Sequence, residues 1–251
     1  MFYFILSNII MINRITILLV ILIYFILKPK LNKKLLYPIK QDIVINILTR
    51  TGQRESCFKN LEKSIKNQTY KNIRHLKSND NPDCKFLKGK KDVFPVKKEK
   101  KYYSTHCPYN GYLNLLKSKV KEGWIIILDD DAKLIDNTFI EKLVQQIKNT
   151  KNKALIYDVY NNGIKKIMPN TQSLFKKEFD VNSVMHGNLD MAGIAFHHSV
   201  NISFPDACSG DYIFFMKLLD SKLVEYVNIE PGIWSNYSGN MSGKSVVCKE
   251  D

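Results

Sequence analysis

The sequence has 251 residues, of which 45% are hydrophobic and 25% charged, a balance typical of a globular chain. Its formal net charge is +14, which favours polyanionic partners such as acidic lipids and nucleotide diphosphates. A general bias toward lysine, asparagine and isoleucine would explain the charge equally well. Because the sequence has no zinc-finger spacing or other nucleic-acid signature, we expect no nucleic-acid partner. The five cysteines are scattered without a CxxC pair, so we predict neither a zinc site nor a disulfide framework.

Residues 9–27 form an apolar segment that polar residues interrupt only briefly, at Arg14 among others. A membrane-spanning helix needs ~20 mostly apolar residues, and this segment reaches that length. Because Lys28 follows directly, without small residues for cleavage, we favour a single-pass anchor over a cleaved signal peptide. The flanking lysines put the following domain on the cytoplasmic side, whereas Arg14 argues for the opposite orientation. We expect an anchor and basic linker over residues 1–37 and one domain over residues 38–251.

From Asp42 onward, short apolar segments alternate with amphipathic ones. The apolar segments predict strands at 43–48, 72–76, 124–128, 154–160, 164–168, 194–197 and 223–229. The amphipathic segments predict helices at 58–65, 109–120, 138–147 and from 211. The lysine-rich segment 85–101 predicts a surface loop, and Thr138 with Glu141 has the spacing of a capping box. This order predicts an α/β domain with a mixed, mostly parallel sheet flanked by helices, and Asn162-Gly163 predicts a hairpin within it.

Polar residues follow three of the predicted strands at the points where the strands end. They are residues 49–51, Asp80, and the three aspartates 129–131. Ligands of open α/β sheets bind at the carboxyl ends of strands, so we expect these groups to lie close together. Adjacent carboxylates repel one another, and a divalent cation held by Asp129 and Asp131 would offset that repulsion. The alternative is an acidic helix start, where aspartate is common.

A cation at this position has a defined chemical use. In glycosyl transfer from a nucleoside diphosphate sugar, negative charge develops on the leaving diphosphate, and Mg²⁺ or Mn²⁺ stabilises it. The acceptor hydroxyl must also lose a proton. Asp211, in the segment Ser209-Gly210-Asp211, is the candidate general base. The alternative is that this segment only caps a helix.

Several motifs resemble family 2-like glycosyltransferases of the GT-A fold. The segment INILTRTGQRESCFKNLEKSIKNQTYKNIRHL, residues 45–76, resembles the opening of these enzymes, including Ser64-Ile65 and the QTYKNI motif at 68–73. GWIIILDDDA is similar to their metal-binding segment, and YNGYLN lies upstream where the family places a helix start beside the nucleotide. The set is most similar to the compact GT-A glycosyltransferases of large DNA viruses. The resemblance extends from about Asp42 to Leu219.

The resemblance implies a role for each group at the strand ends. It implies nucleotide contacts for Thr49, Arg50, Thr51, Asp80, Asn110, Asp129 and Asp130. It further implies that Asp129 and Asp131 hold Mn²⁺ or Mg²⁺, and that Asp211 is the catalytic base of an inverting reaction. The sequence departs from the usual Glu-Asp pair, because Gly210 stands where the family has glutamate. On the acceptor side, we expect contacts from Asp190 and Trp234, whose alternatives are a plain loop and hydrophobic packing.

These predictions define a metal-dependent, inverting glycosyltransferase. It would move one sugar from a nucleoside diphosphate sugar, with UDP favoured, to a glycan or lipid-linked acceptor. A single addition is expected because the Gln-x-x-Arg-Trp signature of processive synthases is missing. One alternative is a sugar-nucleotide nucleotidyltransferase or pyrophosphorylase, although the loop after the first strand offers only Gly52 and Arg54 for phosphate binding. The other is a catalytically inactive binding protein that keeps the fold.

Overall fold

The computed structural model describes residues 43–81, 83–96, 109–162, 166–168, 189–207 and 209–235. From Ile43 onward, the chain forms one compact unit. The predicted anchor at residues 9–27 lies outside the described ranges. Within those ranges, no helix has the length and apolar character needed to cross a membrane.

Eleven strands and four α-helices are present in the described residues. In chain order they are β1 (Ile45–Thr51), α1 (Glu55–Lys66), β2 (Ile73–Asn79), β3 (Val93–Pro95), α2 (Tyr109–Ser118), β4 (Trp124–Ile127), β5 (Lys133–Leu134), α3 (Phe139–Asn149), β6 (Ala154–Ile156), β7 (Val159–Asn161), β8 (Lys166–Met168), β9 (Ile194–His197), α4 (Gly210–Asp220), β10 (Val224–Tyr226) and β11 (Ile233–Ser235). A 3₁₀ turn, Met191–Gly193, precedes β9.

The main sheet has seven strands in the order β10-β6-β9-β4-β1-β2-β3. β1 lies between β4 and β2 and is parallel to both, and β3 is parallel to β2. β9 runs antiparallel to its two neighbours, β4 and β6. The prediction of a mixed, mostly parallel sheet is confirmed. Because β1 and β4 run in the same direction side by side, the residues that follow them meet at one edge.

Helices cover both faces of this sheet. Ile45 and Ile47 of β1 pack against α1 and α3, whereas Leu48 packs against α2 and α4 on the opposite face. This arrangement explains why β4 consists entirely of buried apolar residues, since both of its faces are covered.

A second sheet of four short strands, in the order β5-β11-β7-β8, was not predicted. The predicted strand 154–160 is interrupted at Tyr157 and Asp158, so that β6 joins the main sheet and β7 the second one. Tyr157 is fully buried at this break, with its ring 5.3 Å from that of Phe139. The predicted hairpin pairing is confirmed, because β7 and β8 are antiparallel.

The start of α3 differs from the predicted capping box. The Thr138 side chain makes no capping hydrogen bond, and Glu141 accepts instead from the Thr69 hydroxyl at 2.8 Å. The buried first-turn amide of Ile140 donates to the side-chain oxygen of Gln68 at 3.1 Å. Gln68 also donates to the Asp136 carbonyl at 2.8 Å and has no exposed surface. A buried glutamine 72 residues away in sequence therefore caps this helix.

Two further predictions are wrong. Part of the predicted loop 85–101 is a strand, because β3 extends the main sheet beside β2. The lysine content concealed the short apolar segment Val93-Phe94 within that region. Cys57 is disulfide-bonded, contrary to the expectation from the scattered cysteines, whereas Cys84 is free.

Candidate functional site

The three aspartates lie at the carboxyl end of β4, next to the carboxyl end of β1. Pairing of the two strands extends to Leu128, whose amide donates to the Leu48 carbonyl at 3.1 Å. Asp130 is 2% exposed and Asp131 8% exposed, so these carboxylates are withdrawn from bulk water. A buried carboxylate is costly unless a cation or hydrogen-bond donors face it. The charge state of this acidic triplet, residues 129–131, therefore depends on the groups that surround it.

Two arginines from the β1–α1 segment form ion pairs with the triplet. Arg50 donates from Nε to Asp129 Oδ1 at 2.7 Å, and its Nη2 contacts the other oxygen of the same carboxylate. Arg54 donates from Nη1 to Asp131 Oδ2 at 2.6 Å, and its Nη2 contacts Asp130. Each of the three carboxylates thus faces a guanidinium group. Arg54 was not among the predicted site residues, although its place in the loop after the first strand was a usable signal.

Burial and mutual repulsion separate the acidities of these carboxylates. Burial, reinforced by the charges of Asp129 and Asp131, raises the pKa of Asp130 to about 7, although Arg54 opposes the rise. Burial and Asp129 likewise raise the pKa of Asp131. Burial also disfavours the Asp129 anion, but the charge and hydrogen bonds of Arg50 outweigh it and lower its pKa. The triplet therefore contains excess negative charge that two arginines only partly compensate.

Arg50 also connects the triplet to the starts of two helices. Its guanidinium carbon lies 5.6 Å from the ring centroid of Tyr109, the first residue of α2, in a cation–π arrangement. The negative charge of Asp211 is close enough to help raise the pKa of Arg50, although burial acts in the opposite direction. Asp211 is exposed in the first turn of α4 and accepts a hydrogen bond from the Tyr212 amide at 2.8 Å. Asp211 and Asp129 therefore lie on the same side of the sheet edge, around Arg50.

Asn110 holds the start of α2 against the start of α4. Its side-chain amide donates to the Ala207 carbonyl at 2.8 Å, and the side chain is almost fully buried. A Cβ atom on Gly210 would lie 2.1 Å from Asn110 Nδ2 and 2.6 Å from the Pro205 carbonyl oxygen. No larger side chain fits at residue 210, where the resemblance led us to expect glutamate.

The predicted nucleotide residues at the end of β1 have different environments. Thr49 is fully buried and its hydroxyl pairs with His75 Nε2 at 2.8 Å, so its side chain offers no surface to a ligand. Thr51 is also buried, and its hydroxyl is close enough to Asp130 to favour the anion. Asp80 follows β2 and packs against Gly52, where an added Cβ atom would lie 2.1 Å from the Asp80 carboxylate. Asp80 is therefore next to the β1–α1 loop, and Thr49 is turned toward the protein interior.

Of the two predicted acceptor residues, Trp234 belongs to the second sheet, whereas Asp190 immediately precedes the 3₁₀ turn and bonds to that sheet. Asp190 accepts from the Ala192 amide at 2.9 Å, from Asn161 at 2.8 Å and from the Ser235 hydroxyl. These bonds occupy both of its carboxylate oxygens and tie β7 and β11 to the 3₁₀ turn. Trp234 is half-buried, and its ring centroid lies 6.1 Å from that of Tyr160. In the strand pairing of β11 with β5, Trp234 lies opposite Lys133, which is two residues after Asp131 in the sequence.

The triplet has the donor chemistry of a divalent-cation site. Carboxylate oxygens are the ligands that Mg²⁺ and Mn²⁺ prefer, and here they are concentrated at one strand end. In the described residues, no group of three or more acidic, histidine or cysteine side chains is arranged to enclose a metal ion. Two carboxylates are enough where substrate phosphates supply further oxygens. The donor chemistry of Asp129 and Asp131 is therefore compatible with a divalent cation whose remaining ligands come from a phosphate-bearing molecule.

The architecture is that of the GT-A fold. Solved structures similar to this chain are GT-A-like glycosyltransferases. S. aureus TarS has a TM-score of 0.60 and 11% identity over 78% of this chain and 37% of its own. TarS 1–349 in complex with UDP has a TM-score of 0.60 and 13% identity, and the match covers 77% of this chain and 60% of the TarS chain.

A mannosyltransferase from Pyrobaculum calidifontis, in complex with GDP-Man and Mn²⁺, has a TM-score of 0.53 and 12% identity. That match covers 80% of this chain and 58% of the mannosyltransferase. This chain therefore spans less than two thirds of the length of each of these structures. No protein-family model and no curated protein matches the sequence. These similarities establish the fold, and the similarity to viral enzymes stays a prediction.

Proposed function

We propose that this protein is a glycosyltransferase that takes one sugar from a nucleoside diphosphate sugar, with UDP as the favoured nucleotide. The observation that carries the proposal is the acidic triplet at the end of β4, faced by Arg50 and Arg54 and lying beside Asp211. The GT-A fold supports it, because the similar TarS structure contains UDP and the similar mannosyltransferase contains GDP-Man and Mn²⁺. We infer an inverting reaction from Asp211, and a glycan or lipid-linked acceptor.

The residues around the triplet have complementary roles in this proposal. Asp129 and Asp131 would hold Mn²⁺ or Mg²⁺, and the bound cation would supply positive charge for the departing diphosphate. Arg50 and Arg54 add positive charge beside the diphosphate, and a guanidinium binds phosphate oxygens through paired hydrogen bonds. Asp80 and Asn110 line the part of the site that binds the nucleotide. Thr49 contributes only its backbone, because its side chain is buried.

Asp211 completes the proposed reaction as the general base. Its carboxylate is exposed and so can reach an acceptor hydroxyl. It accepts the hydroxyl proton while the acceptor oxygen attacks the anomeric carbon and the bond to the diphosphate breaks. Trp234 offers an aromatic face next to the triplet for an acceptor sugar, and Asp190 positions the surrounding strands through its hydrogen bonds.

The first test separates donor binding from transfer. UDP binding is measured by titration calorimetry with and without Mn²⁺, and hydrolysis is screened over a panel of nucleotide sugars. Asp211→Asn should keep the UDP dissociation constant within about 2-fold while turnover falls about 10²–10⁴-fold, the usual contribution of a general base. Asp131→Ala should abolish turnover and the Mn²⁺ dependence of UDP binding, because the cation loses a ligand.

Asp92→Asn is the matched control for both variants. Asp92 forms an ion pair with Arg74 at 2.7 Å, near the end of β2 that is opposite to the triplet. The Asp92→Asn substitution should therefore leave UDP binding and turnover unchanged. Failure of the wild-type protein to bind UDP or any other nucleoside diphosphate, with or without Mn²⁺, would exclude the proposed function. Loss of UDP binding in Asp211→Asn would exclude Asp211 as the base.

A further inference from the structure

Arg54 occupies the position at which a cation would contact Asp131. The residue immediately precedes α1 and projects across the sheet edge to two carboxylates of the triplet at once. Its side chain is 18% exposed, and those of Asp130 and Asp131 are 2% and 11% exposed. The ion pair is therefore shielded from water, and such pairs are harder to break than exposed ones.

The charge balance makes this contact consequential. Three carboxylates face two guanidinium groups, so the arginines offset most, but not all, of the negative charge of the triplet before any ligand binds. An incoming divalent cation would compete for Asp131 with Arg54 Nη1, which donates to Asp131 Oδ2 at 2.6 Å. Arginine does not deprotonate, so Arg54 cannot lose its charge and must move away before the cation can bind. A diphosphate is the group best suited to receive it, since the planar guanidinium pairs with phosphate oxygens as it does with carboxylates.

We propose that Arg54 and the divalent cation compete for Asp131, and that the donor's diphosphate ends this competition by accepting Arg54. The proposal rests on the proposed function, in which the triplet binds a nucleoside diphosphate and its cation. In the nucleotide-free protein, Arg54 weakens binding of the cation. With the diphosphate present, Arg54 pairs with phosphate and Asp131 is released to the cation. Cation and diphosphate therefore bind with positive coupling beyond their direct contact.

The test measures Mn²⁺ affinity in the nucleotide-free, full-length protein by titration calorimetry. Arg54→Met removes the competing charge and should bind Mn²⁺ about 10-fold more tightly, as expected when a shielded ion pair no longer has to be broken. Arg74→Met is the matched control, because Arg74 forms an ion pair with Asp92 away from the triplet, and it should leave Mn²⁺ affinity unchanged. Equal or weaker Mn²⁺ binding by a folded Arg54→Met protein would overturn the proposal.

A second variant covers the case in which Arg54→Met does not fold. Arg54→Lys keeps the positive charge but cannot contact both carboxylates with a planar fork, so it should bind Mn²⁺ about 3-fold more tightly than wild type. Circular dichroism melting shows which variants are folded. If Arg54→Lys alone folds and binds Mn²⁺ no more tightly than wild type, the proposal also fails.

UDP provides the other half of the test. In wild type, saturating UDP should raise Mn²⁺ affinity by a larger factor than in Arg54→Met, because only wild type has an arginine to displace. The same enhancement in both proteins would contradict the release of Asp131 by diphosphate. Failure of the proposed function would have a different sign, namely that the wild-type protein does not bind UDP. The Mn²⁺ titrations without nucleotide do not depend on UDP binding, so they still test the competition between Arg54 and the cation.

Discussion

His75 shows how one half-buried side chain can contribute to the response of the domain to acid. Its ring stacks on Phe58 with a centroid distance of 5.9 Å, and its Nε2 pairs with the Thr49 hydroxyl at 2.8 Å. Burial, together with the charges of Lys77 and Lys90, lowers the pKa of His75 to about 3. The ring is therefore neutral in the folded protein at a pH where the unfolded chain is already protonated.

The sign of the pH effect follows from this difference. Between the unfolded value of 6.5 and the folded value of about 3, the unfolded chain binds the extra proton, so stability falls as pH decreases. We expect His75 to remove about 1–2 kcal/mol of unfolding free energy between pH 7.5 and pH 5. His75→Gln retains a hydrogen-bonding group beside Thr49 and should abolish this part of the acid loss. Urea denaturation of both proteins at the two pH values measures it, and an equal acid loss in both would contradict the assignment.

Individual site residues were predictable to the extent that chain order determines their position. The triplet was placed correctly at the end of β4, because the apolar segment 124–128 that contains this strand is followed directly by the aspartates. The partners of those aspartates were not predictable, since Arg54 lies 77 residues from Asp131 and reaches it only through the pairing of β1 with β4. The side-chain direction of Thr49 was likewise invisible, because it depends on which face of β1 is covered by α1.

At the level of elements, Gln68 links the end of α1 to the start of α3. Its side chain satisfies the Ile140 amide and donates to the Asp136 carbonyl, and it is completely buried. The first amides of a helix have no partner within the helix, so this side chain performs the function of an N-cap. Part of the QTYKNI motif therefore serves the framework that supports the site.

Gln68→Ala should lower the unfolding free energy by roughly 2–3 kcal/mol, because the buried Ile140 amide loses its partner and the Asp136 carbonyl loses one of two donors. Thr138→Ala is the matched comparison, since the Thr138 hydroxyl contacts only Asp136 and caps nothing, and it should cost less than about 1 kcal/mol. Chemical denaturation gives both values. A larger loss for Thr138→Ala than for Gln68→Ala would restore the capping box that the sequence predicted.

Long elements with a single clear periodicity were predictable, and short ones were not. Helix α3 buries Phe139, Leu143 and Ile147 on one face, and its predicted position is confirmed within two residues. Strands β5 and β11 have two and three residues, too few to show an alternation. They exist because they pair with each other across distant segments of the chain. The second sheet is therefore a product of tertiary contacts, and the sequence alone does not specify it.

For the whole molecule, the central strand determines which part of the chain must be present for folding. β1 pairs on one side with β2 and on the other with β4, and its side chains enter both hydrophobic cores. Just before β1, the Ile43 carbonyl accepts a hydrogen bond from the Tyr70 hydroxyl at 2.6 Å. The compact unit begins at this residue. We therefore expect the unit that begins at Ile43 to fold without the predicted anchor.

Deletion of residues 1–37 should leave a folded domain that remains in the supernatant after ultracentrifugation, while the full chain sediments with membranes. Its UDP affinity and its melting temperature should match those of the detergent-solubilised full chain, because every described contact of the two cores is retained. Deletion through Ile47 is the control, since it removes half of the central strand and should give no cooperative melting transition. An unfolded protein after the shorter deletion would show that residues 1–37 belong to the domain. Sedimentation of that shorter protein with membranes would show instead that the membrane-binding surface lies beyond the anchor.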